Sequence, residues 1–140
     1  MNEQIQLDIL TPQGSVYSAA VDSLLVPPEQ GPLEISPGYT KLLTAISAAA
    51  VLRVTKNGKH LYFAIFGGVL QVKFGGDSQI YTEEINDGYS IDMARAIAAR
   101  DRNLDLIAKK EEGTNIALAQ AKLAKAVARI SAKSLSEGKE

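Results

Sequence analysis

Five charged side chains in the C-terminal third have a spacing suited to binding an anion. Asp92 and Arg95 are three residues apart and Arg102 follows Arg95 by seven, so on a helix they lie close to one face. Lys125 and Arg129, four residues apart, share a face of a second segment. Guanidinium and ammonium groups bind phosphate, and a carboxylate accepts hydrogen bonds. The pattern is compatible with an anionic ligand, although Asp92 and Arg95 are more typical of an ordinary helix pair.

The sequence has few of the residues that catalytic and metal sites commonly require. It contains no cysteine, and His60 is its single histidine. Disulfides, thiolate nucleophiles and zinc–sulfur sites are therefore excluded, and a histidine-dependent metal site or catalytic triad is disfavoured. We predict no catalytic residues and no metal site, so the chain is not expected to be an enzyme.

The charged residues lie in a segment, residues 87–140, whose pattern predicts two helices. Ser90 is suited to the N-cap of the first, and Asp92 places a carboxylate at the positive end of its dipole. Gly113 and Thr114 provide a stop and a cap between the helices. So short a connection predicts an antiparallel helical hairpin, followed by a short polar tail. The junction at residues 87–102 is interpreted as a hinge and a possible ligand site.

Each predicted helix has an apolar face. In the first it consists of Met93, Ile97, Leu104 and Ile107, and in the second of Ile116, Ala119, Leu123, Val127 and Ile130. Beside the second lies a row of cations called here the basic face: Lys122, Lys125, Arg129 and Lys133. Twelve alanines between Ala94 and Ala132 favour helix but bury little area, so we expect the helical hairpin to depend on docking for stability.

Residues 1–86 have the pattern of short strands instead. Apolar residues alternate at Ile5, Leu7 and Ile9, and Asn57-Gly58 suits a type I′ turn between strands at 51–55 and 60–66. Gly67-Gly68 lies between two strands and leads into no helix, so a bulge or a close backbone crossing is favoured over a phosphate loop. Residues 79–83 are predicted to be the last strand. The fold class is an antiparallel β-sandwich followed by the helical hairpin.

Charge divides the chain in the same place. The formal net charge of the chain is −1. Residues 1–89 carry a net negative charge, whereas residues 90–133 carry a net positive charge. Such a basic arm suggests an acidic partner, a nucleic acid, an anionic ligand or attraction to the acidic body, although a solvated helical surface would look the same. A nucleic-acid adaptor using the basic face is disfavoured, because the arm lacks aromatic residues for stacking between Ile91 and Leu135. No secretory signal or membrane-spanning run is recognised.

Four motifs, in order, resemble the ε subunit of F-type ATP synthases, called δ in mitochondria. They are LTPQGSVY at 10–17, GPLEISPGYTKLL at 31–43, FGGVLQV at 66–72 and IDMARA at 91–96. The second motif departs from the family at Pro32, Glu34, Ser36 and 39–41, which bears on turn geometry and partner contacts rather than on the fold. The resemblance covers nearly the whole chain and implies a ten-strand sandwich followed by two helices.

The resemblance also implies partners and a regulatory role. The sandwich is expected to bind the γ subunit and the c-ring, so that the chain turns with the central stalk and couples rotation to catalysis. The helical hairpin is expected to inhibit ATP hydrolysis when it extends toward the α and β subunits, its basic face (Lys122, Lys125, Arg129, Lys133) meeting an acidic loop of β. The implied location is the cytoplasmic face of the bacterial inner membrane, or alternatively a thylakoid or mitochondrial inner membrane.

No cofactor is required by the family, but ATP is a regulatory ligand of some members. The matching residues here are Ile91, Asp92, Arg95, Ala96, Arg102 and Arg129, with Lys125 where nucleotide-binding relatives usually have arginine. Asn86 stands where some relatives use glutamate. Lysine lacks the planar fork that holds phosphate, so we expect weak ATP binding. A free-standing ATP-binding sensor is the alternative function.

Overall fold

The computed structural model describes residues 3–27 and 31–138, which form ten strands, a 3₁₀ turn and two α-helices. The strands are β1 (Ile5–Thr11), β2 (Gly14–Val21), β3 (Ser23–Val26), β4 (Leu33–Ile35), β5 (Leu42–Ile46), β6 (Ala50–Lys56), β7 (Lys59–Ile65), β8 (Gly68–Val72), β9 (Ser78–Tyr81) and β10 (Ile85–Asp87). The 3₁₀ turn at Gly88–Ser90 leads to α1 (Met93–Lys109) and α2 (Ile116–Ser136). The predicted sandwich and helical pair are confirmed; residues 139–140 of the predicted tail lie outside the described residues.

The described strands form two sheets with the core between them. One has the order β2-β1-β9-β8-β5 and the other β10-β7-β6-β3-β4. Alternation along the strands places Ile5, Leu7 and Ile9 against Leu52 and Leu70, all buried. The pair β1 and β9 is parallel, unlike the antiparallel pairing expected throughout. β9 follows β8 through a hairpin and pairs antiparallel with it, whereas its other neighbour, β1, is distant in sequence, so no hairpin sets the direction of that second pair.

The prediction that residues 79–83 form the last strand was wrong. β9 ends at Tyr81, and the chain then crosses to the other sheet, where β10 pairs antiparallel with β7. Thr82 stabilises the crossing, since its hydroxyl donates to the carbonyls of Gly67 at 2.7 Å and Glu84 at 3.1 Å. A three-residue strand carries too little periodicity to be recognised in sequence.

The glycine pair Gly67-Gly68 marks a close backbone crossing, as predicted. Both residues have positive φ, 80° and 125°, and a Cβ on Gly68 would overlap the carbonyl oxygen of Tyr81. Asn57 and Gly58 likewise have positive φ, 52° and 77°, between β6 and β7. That is the conformation of the predicted type I′ turn.

The helix caps differ from those predicted by one or two residues. Ser90 ends the 3₁₀ turn and Ile91 is extended, so the N-cap of α1 is Asp92, whose Oδ1 accepts from the Arg95 amide at 3.1 Å. Asn115, not Thr114, caps α2 by accepting from Leu118 N at 3.0 Å. α1 ends with Lys110 in the left-handed region, before Gly113 is reached. Asn115 is a better N-cap type than Thr114, whereas Ser90 and Asp92 are of similar quality, so the path of the chain decides between those two.

The predicted apolar faces were partly wrong. Ile97, Leu104 and Val127 are 36%, 47% and 46% exposed, and the buried residues are mainly alanines: Ala96 in α1, and Ala119, Ala126, Ala128 and Ala132 in α2. α2 lies between α1 and the outer face of the β7 sheet, where Ala128 and Ala132 pack with Ala64, Phe66 and Ile91. Only small side chains permit contact on both sides, so the larger ones lie at the margins. Neither described helix combines the length and apolarity needed to traverse a bilayer.

Candidate anion-binding cleft

A cleft of about 730 Å³ opens where α1, α2 and β10 meet. It is lined by all six predicted ligand residues, Ile91, Asp92, Arg95, Ala96, Arg102 and Arg129, and also by Lys122 and Lys125. The antiparallel pairing of α1 with α2 brings these residues together, although the most distant of them are more than thirty positions apart in the sequence. The family resemblance had implied a shared site for these residues, and the fold provides a common space for them.

Two cations of α2 are already bound to the sandwich. Arg129 Nη2 lies 2.7 Å from Glu84 Oε2, and Lys125 Nζ lies 3.2 Å from Glu84 Oε1. Arg129 Nε also donates to Asn86 Oδ1 at 2.9 Å. Both cations lie over the Phe66 ring, Arg129 Cζ at 4.6 Å and Lys125 Nζ at 5.3 Å from its centroid. These contacts join the helical hairpin to the sandwich.

The other cations of the cleft are unpaired. Arg95, Arg102 and Lys122 are exposed, and within residues 3–27 and 31–138 none of them forms an ion pair. Asp92 is engaged as the α1 cap, which fixes its carboxylate at the start of the helix beside the cleft. Arg95 and Arg102 of α1 thus face the cleft without an ion-pair partner among the described residues.

The cleft carries an excess of positive charge. Its described lining includes the cations Arg95, Arg102, Lys122, Lys125 and Arg129 and the acids Glu84, Asp87 and Asp92. Apolar contact comes from Ile85, Ile91, Ala96 and Ala99. A ligand with an anionic end and an apolar end would match both parts of this lining.

Sequence reasoning missed Glu84 and Phe66. Both belong to the sandwich, and both touch the cations of α2. No local signal identifies them, because their role depends on which edge of the sheet receives α2. Asn86 was recognised only as a substitution, whereas here its side chain holds Arg129.

The basic face does not act as one set. Lys122, Lys125 and Arg129 line the cleft, but Lys133 lies beyond it, where Nζ donates to Tyr89 O at 2.8 Å and approaches Glu137 Oε2 at 3.7 Å. Three of the four residues thus contact other parts of the chain in this conformation. The side chains of Lys125, Arg129 and Lys133 are 41%, 28% and 18% exposed, and Lys122 is exposed.

Two ionisable groups with shifted pKa values lie in the sandwich, away from the cleft. The backbone amide of Gly58 and the side chain of Gln4 lower the pKa of Asp22, which ties β1 to the β6–β7 turn. Burial raises the pKa of Tyr17, whose ring packs edge-on against Phe63 at 5.6 Å. Both observations agree with a structural role for these residues.

Comparison with known proteins decides the family. Residues 4–85 match the family described as ATP synthase, Delta/Epsilon chain, beta-sandwich domain. A Bacillus velezensis protein named ATP synthase epsilon chain is 33% identical over 126 residues, which cover 90% of this chain and 94% of that one. The chain belongs to the ATP synthase delta/epsilon family. The predicted resemblance is thereby confirmed, and with it the expectation of a non-catalytic ATP synthase subunit.

Solved structures of mitochondrial ATP synthases contain chains with the same fold. A chain in the cryo-EM structure of the Euglena gracilis mitochondrial ATP synthase, comprising OSCP, F1 and the c-ring in rotational state 1, superposes with a TM-score of 0.75 at 19% identity. The match covers 94% of this chain and 81% of that one. A chain in the central stalk and c-ring of the Tetrahymena thermophila enzyme gives 0.59 at 13% identity, with 95% and 99% coverage.

Proposed function

We propose that this delta/epsilon chain is a central-stalk subunit whose sandwich binds γ and the c-ring and whose helical hairpin regulates ATP hydrolysis. The family match, and the central-stalk and c-ring assemblies that contain chains of this fold, support the assignment of partners. The Bacillus relative supports a peripheral position at the cytoplasmic face of a bacterial membrane. The α and β subunits become partners when the helical hairpin extends.

The observation that carries the regulatory part is how the basic face is held. In the docked conformation Lys125 and Arg129 are bound to Glu84, and Lys133 to the Tyr89 carbonyl. Detachment of α2 would release all three together with Lys122. Lys125, Arg129 and Lys133 would then be free of these contacts and able to meet an acidic loop of β only in the extended state, so docking and inhibition are competing states.

The cleft is proposed to bind ATP as a regulatory ligand of the docked state. Its volume of about 730 Å³ lies within the range of small-molecule sites, and cations on both helices can share the phosphates. A ligand that contacts α1 and α2 in this geometry has differential affinity for the docked state and would stabilise it. The substitutions at Lys125 and Asn86 keep the expected affinity in the millimolar range, about −4 kcal/mol.

The test is reconstitution with F1 that lacks its own ε subunit. Wild type should lower the ATP hydrolysis rate, and replacement of Lys122, Lys125, Arg129 and Lys133 by alanine should relieve that inhibition with assembly intact. Each exposed pair contributes roughly 0.2–1 kcal/mol, so single replacements should have little effect. Added salt should weaken inhibition by wild type, because it screens the same contacts.

The fourfold variant separates two mechanisms by the sign of its effect. It also loses the Glu84 contacts, so it should detach more easily than wild type. If extension alone inhibits, without the basic face, the variant will inhibit more strongly, and the proposal fails. Lys56→Ala with Lys59→Ala, in the exposed β6–β7 turn, is the control for charge loss. Failure of the wild-type chain to copurify with γ would favour the free-standing sensor instead.

A further inference from the structure

Glu84 occupies a position that the family resemblance did not assign. It lies in the crossing between β9 and β10, and its two carboxylate oxygens contact different cations of α2, Arg129 at 2.7 Å and Lys125 at 3.2 Å. Glu84 and both cations line the cleft. One acidic side chain of the sandwich thus binds two cations of the helical hairpin.

These cations are the ones that α2 would offer to ligand phosphate. A guanidinium has a limited set of donors, and here Arg129 uses Nη2 for Glu84 and Nε for Asn86. Phosphate oxygens and a carboxylate present similar acceptors to such a fork. They therefore compete for the same donors, and an incoming anion must displace the Glu84 carboxylate or share its partners.

We infer that Glu84 is an internal anion that keeps the helical hairpin docked in the absence of ligand and competes with ligand phosphate for Lys125 and Arg129. The part that concerns affinity rests on the proposed ATP site. The part that concerns docking rests on the contacts alone. Together they describe a docked state that does not depend on nucleotide, because the chain supplies its own anion.

Removal of the charge should separate these two effects. In Glu84→Gln the side chain keeps its size but no longer pairs with two cations. We expect the docked fraction without ligand to fall, and the affinity of the docked state for ATP to rise roughly 1.5- to 5-fold, which is the change produced by losing one competing contact of this exposure. ATP should then restore docking in the variant.

Docking can be measured directly, since the chain has no native cysteine. Spin labels at Lys59→Cys on β7 and Gln120→Cys on α2, both exposed positions, report the docked fraction by electron–electron double resonance of the full chain. Calorimetry with ATP gives the apparent dissociation constant. Only docked chains bind ATP, so the apparent dissociation constant is larger than that of the docked state by the reciprocal of the docked fraction. Multiplying the apparent constant by the docked fraction therefore gives the dissociation constant of the docked state.

Two variants serve as controls. Glu83→Gln removes the same charge one residue away, where the side chain is exposed and forms no ion pair with the described residues, and it should behave as wild type. Glu84→Asp keeps the charge but shortens the reach to Lys125 and Arg129. If contact matters more than net charge, Glu84→Asp will resemble Glu84→Gln.

The outcomes are distinct. A docked-state affinity that falls in Glu84→Gln would overturn competition and make Glu84 a residue that positions Arg129. An unchanged docked fraction would overturn the docking role. Absence of ATP binding in both wild type and Glu84→Gln would refute the proposed ATP site and, with it, the competition. Even then, a lower docked fraction in Glu84→Gln than in wild type would support Glu84 as the docking anion.

Discussion

A methyl group at Gly88 should release the helical hairpin without altering any charge. Gly88 is buried in the 3₁₀ turn before α1, where the last turns of α2 pass over it. A Cβ built there would overlap the Ser136 hydroxyl and lie 2.7 Å from the carbonyl oxygens of both Ala132 and Tyr62. The hydroxyl can rotate away, but the carbonyls belong to α2 and β7, so Gly88→Ala must push these elements apart.

The expected size of the effect follows from the packing. Overpacking of a tight contact costs about 1–3 kcal/mol. The overlaps with Ser136 and Ala132 arise only when α2 is docked, whereas the one with the Tyr62 carbonyl is present in both states, so the ratio of docked to detached chains should fall by up to roughly 150-fold. Docked and detached states of a switch differ by only a few kcal/mol, so this change would make detachment a major state.

The spin-label pair at positions 59 and 120 measures the docked fraction, and reconstituted F1 measures the consequence. Gly88→Ala should shift distances away from the docked value and inhibit ATP hydrolysis more strongly than wild type. Ser136→Ala in the same chain removes one of the three overlaps and should restore docking only in part. Ser90→Ala, exposed at the same junction, is the control. Unchanged docking in Gly88→Ala would show that β7 yields instead and that Gly88 does not govern the position of α2.

Two further predictions concern the cleft and the sandwich. Arg95→Ala should abolish the proposed millimolar binding of ATP, as measured by calorimetry, because it removes a cation of α1 that forms no ion pair with the described residues, while Asp92 still caps the helix by accepting from the backbone amide of residue 95. A micromolar constant for wild type, or no binding by wild type, would contradict the expected affinity. A chain ending after Asp87 should melt cooperatively and bind γ, because the core between the sheets lies within residues 5–80; an unfolded product would show that the sandwich needs the helical hairpin.

Sequence reasoning succeeded where the physical cause is local. The alternation at Ile5, Leu7 and Ile9 and the turn at Asn57-Gly58 depend on neighbouring residues alone, and both are as predicted. The cleft residues of α1 were identified because a helix of known period fixes their shared face. Capping residues were misplaced by one or two positions, since Ser90 and Asp92 compete and only the path of the chain decides between them.

The remaining features depend on tertiary contact. β10 is a strand because β7 offers it a partner, and Glu84 binds two cations because α2 crosses that edge of the sheet. Neither contact produces a periodic pattern in the sequence. The apolar seam of α2 was misjudged for a related reason: one helical face was assumed to bury the largest side chains, whereas α2 packs on two sides and only alanine fits between them.

That alanine surface explains how the helical hairpin can be ordered and still detach. Ala128 and Ala132 bring the α2 backbone close to Ala64 of β7, which fixes the docked geometry. Each buried methyl contributes only about 0.8 kcal/mol, far less than a leucine or phenylalanine side chain at the same place. The partly exposed pairs to Glu84 add roughly 0.2–1 kcal/mol each. Close packing with little buried area thus defines one docked position while leaving its free energy within reach of a ligand, a single charge at position 84 or a methyl group at position 88.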